Sequence, residues 1–371
     1  MISRRGLIAG GALTAVGALT APPVRTPAQA AVAVEPFHGP HQAGIATPPQ
    51  AHAVFVGLDL APDTGKEAVV RLLQLLTDDA RRLTQARPAL ADTEPELAAT
   101  AARLTITFGF GPGLFAAVKA ESPVAPLPSF TIDKLDKRWS GGDLLVQICA
   151  DDGVTVAHTL RMIVKDARAF AKVRWVQRGF QSATRRNLMG QVDGTVQPVD
   201  LDRAVWISQG PAWLRGGTTL VLRRIRMSLE SWDAADRVAM EFTIGRRLDT
   251  GAPLTGRAER DEPDYNQVNR LGFPIISEYA HIRRAHVTDP GLRILRRPYN
   301  YDEGLTPDGK SDSGLLFASY QADIDRQFLP IQRNLAKGDL LNEWITPVGS
   351  AVFAIPPGCA PEGWIGDSLL G

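Results

Sequence analysis

Several features that define other classes of protein are scarce in this sequence or missing from it. Only two cysteines, Cys149 and Cys359, occur in 371 residues. They cannot form a four-cysteine zinc or iron–sulfur site, the C-x-x-C-H motif of c-type cytochromes is absent, and their spacing leaves open whether they pair. A net charge of +1 provides no field that would attract nucleic acid or an anionic membrane. Beyond residue 30, no apolar run is long enough to span a bilayer. We therefore expect a globular protein that binds no nucleic acid and, in its mature form, no membrane.

The first 30 residues have the composition of an export signal. They begin with Ser3-Arg4-Arg5, continue with an apolar run rich in Gly, Ala and Leu, and end with the small-x-small cleavage pattern Ala28-Gln29-Ala30. Twin arginines are typical of a signal that a receptor reads. We predict a twin-arginine signal peptide over 1–30 and a secreted product in the periplasm, the cell envelope or the extracellular space. An uncleaved anchor is the alternative.

The rest of the chain contains one order of elements twice. A Pro-, Gly- and His-rich arm (31–52) leads into strand and helix patterns in the order β-α-β-β-α-β, which predicts a ferredoxin-like half over 53–195. The order recurs over 196–371, where the irregular segment 249–312 interrupts it. We predict an α+β fold of two ferredoxin-like halves. The predicted strands are 53–60, 104–115, 144–152, 171–180, 218–227, 314–322 and 350–358, and the predicted helices are 65–84, 153–171, 231–246 and 323–335.

One acid and one pair of arginines are placed as catalytic groups would be. Asp193 lies in NLMGQVDGTVQP (187–198), where a turn would explain the glycines and a proton transfer would explain the acid. In ILRRPYNY (294–301) an apolar approach precedes two arginines, which indicates a guanidinium directed inward. Such an arginine would favour an ionised carboxylate beside it and stabilise negative charge on a substrate oxygen. An acid, an arginine and an axial histidine are the groups that a haem peroxidase needs, although their spacing alone proves nothing.

The six histidines offer weaker signals. His281 and His286 lie in EYAHIRRAHVTDP, and a lone histidine of this kind is more often structural than a ligand. His38 and His41 form an H-x-x-H pair without further ligands nearby, so a metal there is the less favoured reading. His158 falls in a predicted helix and is expected to be structural.

The sequence resembles the dye-decolourising (DyP-type) haem peroxidases of the exported class. Residues 190–194, GQVDG, match the family's G-x-x-D-G signature, and Thr195 extends it to D-G-T. The resemblance covers roughly 35–366. Six further segments that look like the family, in the same order, are 37–45, 141–152, 281–286, 294–301, 314–332 and 350–358.

The resemblance implies a site and a cofactor. Asp193 would be the distal acid–base residue, Arg296 the distal arginine with Arg297 as the competing register, and His281 the axial iron ligand. Gly194, Thr195 and Arg296 would contact one non-covalent haem b per chain, held mainly by the C-terminal half. His286 is the weaker ligand candidate. The implied fold is barrel-like, of the dimeric α+β kind with antiparallel sheets and helices. Val192 and Pro298 depart from the family pattern and would alter the distal pocket or its access.

The implied activity is that of an oxidoreductase. It would reduce hydrogen peroxide and oxidise dye-like, phenolic or metal one-electron donors through a ferryl intermediate. A deferrochelatase-like role in haem handling or iron acquisition is the alternative, and a haem-free binding module is a third reading. The physiological donor and the oligomeric state, a homo-oligomer included, stay open.

Three minor hypotheses concern groups around the haem. Asp323 and Asp325 could support His281 from behind, although a solvated helix start is favoured for them. Surface electron transfer would use Tyr299, Tyr301 or Trp344. The haem propionates would pair with Arg226, Arg246 or Arg283.

Overall fold

A computed structural model describes residues 33–371, and the predicted signal peptide (1–30) lies outside this range. Residues 33–51 form no helix or strand. Within the described range, no helix is long and apolar enough to cross a membrane. The strands are β1 (His52–Leu60), β2 (Thr105–Phe110), β3 (Leu144–Ala150), β4 (Ala171–Phe180), β5 (Thr218–Met227), β6 (Leu295–Arg296), β7 (Tyr299–Leu305), β8 (Ser311–Gln321) and β9 (Ile345–Ile355). The α-helices are α1 (Lys66–Leu83), α2 (Pro112–Ala117), α3 (Gly153–Ala167), α4 (Leu201–Ala204), α5 (Leu229–Asp233), α6 (Arg237–Ile244), α7 (His281–Arg284), α8 (Leu329–Ala336) and α9 (Asp367–Leu370).

The strands form one closed antiparallel barrel built from two equivalent halves. Around the barrel, the first half has the strand order β2-β3-β1-β4, and the second half continues in the same direction with the equivalent order β7-β8-β5-β9. Each half is therefore a β-α-β-β-α-β unit, which confirms the predicted duplicated α+β fold. The halves join edge to edge, through β2 with β9 and β4 with β7. The short strand β6 pairs with β8 in addition.

Alternation along the strands separates two cores. In β1, Val54, Val56 and Leu58 belong to the large cluster under the helices of the first half. Ala53 and Phe55 point the other way, into the barrel, where residues of β3, β4, β5, β7, β8 and β9 meet. Because successive strand side chains alternate between faces, a strand buried on both sides reads as a nearly continuous apolar run.

Helix α1 forms because its apolar residues recur at helical spacing. Its buried face includes Val69, Leu72, Leu73 and Leu76, and it packs beside α3. Helix α3 begins at an N-cap, because Asp152 accepts a hydrogen bond from the backbone N–H of Thr155 at 2.7 Å.

One buried acid makes the packing of α1 on α3 dependent on pH. Asp79 of α1 is 1% exposed and faces Asp166 of α3. Burial, followed by the hydrogen bond and charge of Asp166, raises the pKa of Asp79 to about 8. The folded protein thus keeps this proton to a higher pH than the unfolded chain does. The contribution of Asp79 to the free energy of unfolding is therefore greatest at low pH and falls as the pH rises from about 4 to about 8.

We expect Asp79→Asn to remove this pH dependence, because the amide cannot ionise. The variant should melt about 4 °C above the wild type at pH 8, which for a chain of this size corresponds to about 1–2 kcal/mol. At pH 4 the two Tm values should nearly coincide. Thermal unfolding of both proteins at the two pH values measures the effect. Asp78→Asn is the control, because Asp78 pairs with Arg82 at 2.8 Å and with Arg81, so its loss should lower Tm at pH 8. A Tm difference that is the same at both pH values would contradict the assignment.

Several predicted element boundaries are wrong, each for a local reason. The strand predicted over 104–115 ends at Phe110, and Pro112 at the first helical position begins α2. The predicted helix 231–246 is two short helices, α5 and α6. The segment 249–312, predicted to be irregular, contains α7, β6, all of β7 and the first two residues of β8. Strand β7 escaped detection because its second half, Asp302–Leu305, is exposed and polar.

Candidate active site

The loop that carries Asp193 is shaped by its own polar groups and glycines. The side-chain oxygen of Asn187 accepts hydrogen bonds from the backbone N–H groups of Met189 and Gln191, each at 3.0 Å. Gly190 has φ +81° and Gly194 has φ +82°, a region that favours glycine. The two glycines and Asn187 therefore account for the shape of the turn, and the carboxylate of Asp193 is not needed to form it.

Asp193 forms an ion pair with Arg296. One carboxylate oxygen of Asp193, Oδ1, accepts a hydrogen bond from Nη1 of Arg296 at 2.7 Å and another from the N–H of Gly194 at 2.6 Å. The second guanidinium nitrogen of Arg296 donates to the carbonyl of Val196 at 3.1 Å. The side chain of Gln197 holds the backbone of Arg296 at both its N–H and its C=O, at 2.9 and 2.7 Å. The side chains of Asp193 and Arg296 remain 18% and 25% exposed, so the pair is accessible.

The neighbouring Arg297 points in the opposite direction. It is 2% exposed, and its guanidinium donates hydrogen bonds to the carbonyl of Thr47 and the side chain of Gln50. Consecutive residues of extended backbone face opposite sides, so only one of the two arginines can reach Asp193. The structure brings Arg296, and not Arg297, to the acid.

A cavity of about 240 Å³ opens beside this pair. Asp193, Gly194 and Arg296 form part of its lining, together with Leu315 of β8. Pro298, one of the two departures from the family pattern, also lies in the wall, whereas Val192 lies against Gly251. Its lining residues are Pro49, Gln181, Ser182, Arg185, Arg186, Asn187, Asp193, Gly194, Gln197, Arg296, Pro298, Asn300 and Leu315.

His281 is held in one orientation by a buried acid. It is the first residue of α7, and its Nδ1 lies 2.6 Å from Oδ2 of Asp339. The carboxylate of Asp339 is 1% exposed and is itself fixed, because its Oδ1 accepts the N–H of Leu341 at 2.9 Å. Nε2 of His281 has no hydrogen-bond partner among residues 33–371, and the side chain is 31% exposed. The ring is therefore fixed at one nitrogen and open at the other.

The pKa of His281 responds to the groups of both pairs. Burial lowers it, but the charge and hydrogen bond of Asp339 raise it, and its net pKa lies above the ordinary histidine value. The charge of Arg296 lowers the same pKa, and that of Asp193 raises it.

An apolar cluster connects the two pairs. Leu315 belongs to it and also lines the cavity beside Asp193, while Leu341 lies two residues after Asp339. Ile282, next to His281, packs against the same cluster. The buried members are Met189, Met227, Trp232, Ile244, Leu315 and Leu341. A flat apolar ligand with a metal at its centre would find apolar walls, one open imidazole nitrogen and one guanidinium here.

Other predicted site residues are engaged elsewhere. The hydroxyl of Thr195 donates to Glu259 at 3.0 Å, and the exposed ring of His286 packs on Tyr265. His38 and His41 bond backbone carbonyls, and no cluster of three metal-ligating side chains occurs in the described part of the chain. His158 forms a buried pair with Asp92 at 2.8 Å, as expected of a structural histidine. Both cysteines are buried free thiols.

Of the minor hypotheses, the favoured interpretation of Asp323 and Asp325 as acids at a helix start is confirmed, whereas the one for the two tyrosines is wrong. Asp323 caps the helical turn that follows it by accepting from the N–H of Arg326, and the acid behind His281 is Asp339. Tyr299 and Tyr301 are fully buried and cannot serve as surface sites, whereas Trp344 is half-buried and lies edge-on to Trp232, with 5.2 Å between ring centroids.

The three arginines considered for the propionates differ in their contacts. Arg246 and Arg283 each donate to two backbone carbonyls. The backbone of Arg226 pairs with β8 and β9, but its exposed side chain makes no hydrogen bond or ion pair within the described range.

Comparisons with known proteins agree over nearly the whole chain. The family models "Dyp-type peroxidase, N-terminal" and "Dyp-type peroxidase, C-terminal" match residues 42–181 and 184–360. A dye-decolorizing peroxidase of Thermobifida fusca (strain YX) is 39% identical, over 89% of this chain and 83% of that protein. A deferrochelatase of Escherichia coli (strain K12) is 35% identical, over 91% and 87%. A crystal structure of a DyP-type peroxidase from Cellulomonas bogoriensis has a TM-score of 0.89 and 51% identity, over 91% of this chain and 98% of that one.

Fold and relatives together define an oxidoreductase of the peroxidase class, an enzyme that uses a peroxide and an electron donor. Among peroxidases, this chain belongs to the DyP-type family.

Proposed function

We propose that this protein is an exported haem peroxidase. It reduces hydrogen peroxide with Asp193 and Arg296, holds one non-covalent haem b through His281, and takes electrons from organic or metal one-electron donors. The observation that carries the proposal is that one apolar cluster adjoins both the Asp193–Arg296 ion pair, through Leu315, and the His281–Asp339 pair, through Ile282 and Leu341.

The residues present fit a non-covalent haem. Imidazole with one free nitrogen is a common axial ligand of haem iron, and a hydrogen bond from the other nitrogen to a carboxylate strengthens it as a donor. The apolar cluster between the pairs supplies the walls that a porphyrin ring needs. Gly194 and Thr195 follow Asp193 on its loop and would help to hold the haem. Both cysteines are buried away from this region, which agrees with a cofactor held without covalent bonds.

When bound, the haem would supply the redox chemistry that accepts two oxidising equivalents from peroxide and passes them singly to donors. The protein supplies the proton chemistry. Asp193 would accept a proton from one oxygen of hydrogen peroxide and return it to the other. Arg296, fixed 2.7 Å from the acid, would stabilise the negative charge that develops on the departing oxygen.

Absorption spectra of the purified, haem-loaded protein test this proposal. We expect a haem Soret band that changes within seconds of adding one equivalent of hydrogen peroxide and recovers when a phenolic donor is added. Free haem at the same concentration is the control. A protein that binds haem but is indifferent to peroxide would contradict the peroxidase proposal, and one that binds no haem after adequate supply would contradict the cofactor.

A second candidate function is haem handling or iron acquisition, favoured by the similarity to a deferrochelatase. In that case the protein would release iron or transfer haem to an apo-acceptor faster than it turns over peroxide. Measuring both rates with one preparation separates the candidates.

We also propose export by the twin-arginine route, on the basis of Ser3-Arg4-Arg5 and Ala28-Gln29-Ala30. Replacing Arg4 and Arg5 together with lysine should keep the protein in the cytoplasm. Export of that variant at the wild-type level would contradict the route.

A further inference from the structure

The carboxylate of Glu259, which is not part of the Asp193–Arg296 pair, binds the loop that carries Asp193 on both sides of that acid. Glu259 accepts hydrogen bonds from Nη2 of Arg185 with both of its oxygens, at 2.8 and 2.9 Å. Its Oε1 also accepts from the hydroxyl of Thr195 at 3.0 Å. Arg185 precedes Asp193 in the chain and Thr195 follows it, so the acid lies between two contacts to a single side chain.

Arg185 also contacts the backbone of Asp193 and so connects Glu259 with this acid. The carbonyl of Arg185 accepts the N–H of Asp193 at 2.9 Å, and its Nη1 lies 3.4 Å from the carbonyl of Asp193. Arg185 has φ +57°, a left-handed conformation that is unfavourable for a residue with a side chain. Such a conformation persists only where the surroundings enforce it. Backbone hydrogen bonds to Ser182 and Asp193 fix Arg185 on both sides, and Glu259 holds the end of its side chain.

Glu259 is itself anchored to the second half of the barrel. Its backbone carbonyl accepts Nη1 of Arg246 at 2.8 Å, and the same nitrogen donates to the carbonyl of Gly251 at 2.7 Å. Arg246 is buried and lies just past the end of α6. The Asp193 loop is thereby tied through Glu259 to a fixed part of the protein.

The contacts of Glu259 affect the position of Asp193 more than the free energy of unfolding. The side chains of Arg185 and Glu259 are 46% and 24% exposed, and an ion pair so open to water contributes at most about 1 kcal/mol. A catalytic group displaced by about 1 Å, in contrast, loses about 10²-fold in rate. A residue that fixes an acid in place can therefore affect the reaction strongly while affecting unfolding weakly.

We propose that Glu259 is a positioning residue for Asp193, and this inference rests on the proton-transfer role proposed above. Glu259 holds Arg185 and Thr195, and through them it keeps the carboxylate of Asp193 in register with Arg296 at the cavity. It touches neither peroxide nor haem.

The rate constant for the reaction of the haem-loaded, full-length enzyme with hydrogen peroxide tests the proposal by stopped flow. Glu259→Ala should lower this constant about 10-fold, since a loosened loop misplaces the acid without removing it. Glu259→Gln should restore most of the rate, because the amide oxygen still accepts from Thr195 or Arg185. Haem content and the KM for a phenolic donor should not change. Glu262→Ala is the matched control, because Glu262 is exposed, carries the same charge and makes no hydrogen bond or ion pair within residues 33–371.

A double-mutant cycle shows whether Glu259 acts through Asp193. In the Asp193→Asn background, Glu259→Ala should cause no further loss, because the proton shuttle is already absent. Amide hydrogen exchange of the haem-free protein supplies a second readout. Peptides covering 184–197 should exchange faster in Glu259→Ala than in Glu262→Ala, while those of β5 should not change.

Three results would each contradict the positioning role of Glu259. An undiminished rate in Glu259→Ala, an equal further loss in the Asp193→Asn background, or unchanged exchange over 184–197 would overturn the positioning role. Failure of the proposed function looks different, since Asp193→Asn alone would then leave the reaction with peroxide unchanged. In that case the inference falls together with the role of Asp193.

Discussion

Replacing Asp193 with asparagine is expected to slow the reaction with hydrogen peroxide by about 10²–10⁴-fold, the usual contribution of a general acid–base group. Asparagine keeps the size of the side chain and an oxygen that can accept the 2.7 Å hydrogen bond from Arg296. It cannot accept and return a proton. The loss should therefore appear in the rate of reaction with peroxide, while haem content and donor binding stay as they are.

Stopped-flow measurement of the Soret change over a range of peroxide concentrations gives this rate. Asp202→Asn is a matched control, because Asp202 is exposed in the first turn of α4 and lies outside the cavity lining. Arg296→Leu should also slow the reaction, by about 10²–10³-fold, because it removes the charge that faces the departing oxygen. A wild-type rate in Asp193→Asn would assign the proton transfer to another group.

Replacing His281 with alanine is expected to abolish stable haem binding, because the ring nitrogen Nε2, which has no hydrogen-bond partner in the described part of the chain, is lost together with the ring that Asp339 orients. Asp339→Asn should have a smaller effect, a loss of about 10–100-fold in haem affinity, which is typical when the partner of a ligating histidine is changed. The amide still accepts the hydrogen bond from Nδ1, but its charge is gone. Haem titration of the apoproteins, followed by the Soret band, measures both losses.

Asp323→Asn is the control for the second variant, because Asp323 caps a neighbouring helical turn and does not contact His281. Circular dichroism of each apoprotein shows that the fold survives. Full haem content with a native Soret band in His281→Ala would disprove the ligand assignment, and His286 would then be the next residue to replace.

The pattern of the barrel could be read from the sequence because it depends on local periodicity. Apolar runs such as 144–150 and 218–227 show buried strands, and the spacing of Val69, Leu72, Leu73 and Leu76 shows a helix. Strand β7 lacked such a signal. Its buried residues Tyr299 and Tyr301 alternate with polar ones, and its remainder is exposed, so it resembled a loop.

The candidate site was predictable only in part, because most of its contacts join distant parts of the chain. The choice between Arg296 and Arg297 depends on which face of a short strand reaches Asp193, and two adjacent arginines look alike in a sequence. Asp339 was missed because it lies 58 residues from His281 and has a local role as well. An acid before a helical turn is adequately explained as a cap, so nothing in the sequence indicated a second partner. The contacts of Glu259 with Arg185 and Thr195 could not be predicted either, because they join residues that are 74 and 64 positions apart.

The junction of β4 with β7, one of the two junctions between the halves of the barrel, has few backbone pairs. Neighbouring strands of the eight-stranded barrel share between five and ten paired residues within each half, whereas the junction of β4 with β7 rests on the single pair Phe180 and Asn300. Gln181, Pro298 and Asn300, which lie at or next to this junction, all line the cavity beside Asp193. Local opening costs least where few hydrogen bonds and little apolar contact must be broken. The cavity beside Asp193 therefore adjoins a junction of the barrel that has only one paired residue on each strand, and we expect local fluctuations to open the barrel there more readily than within either half.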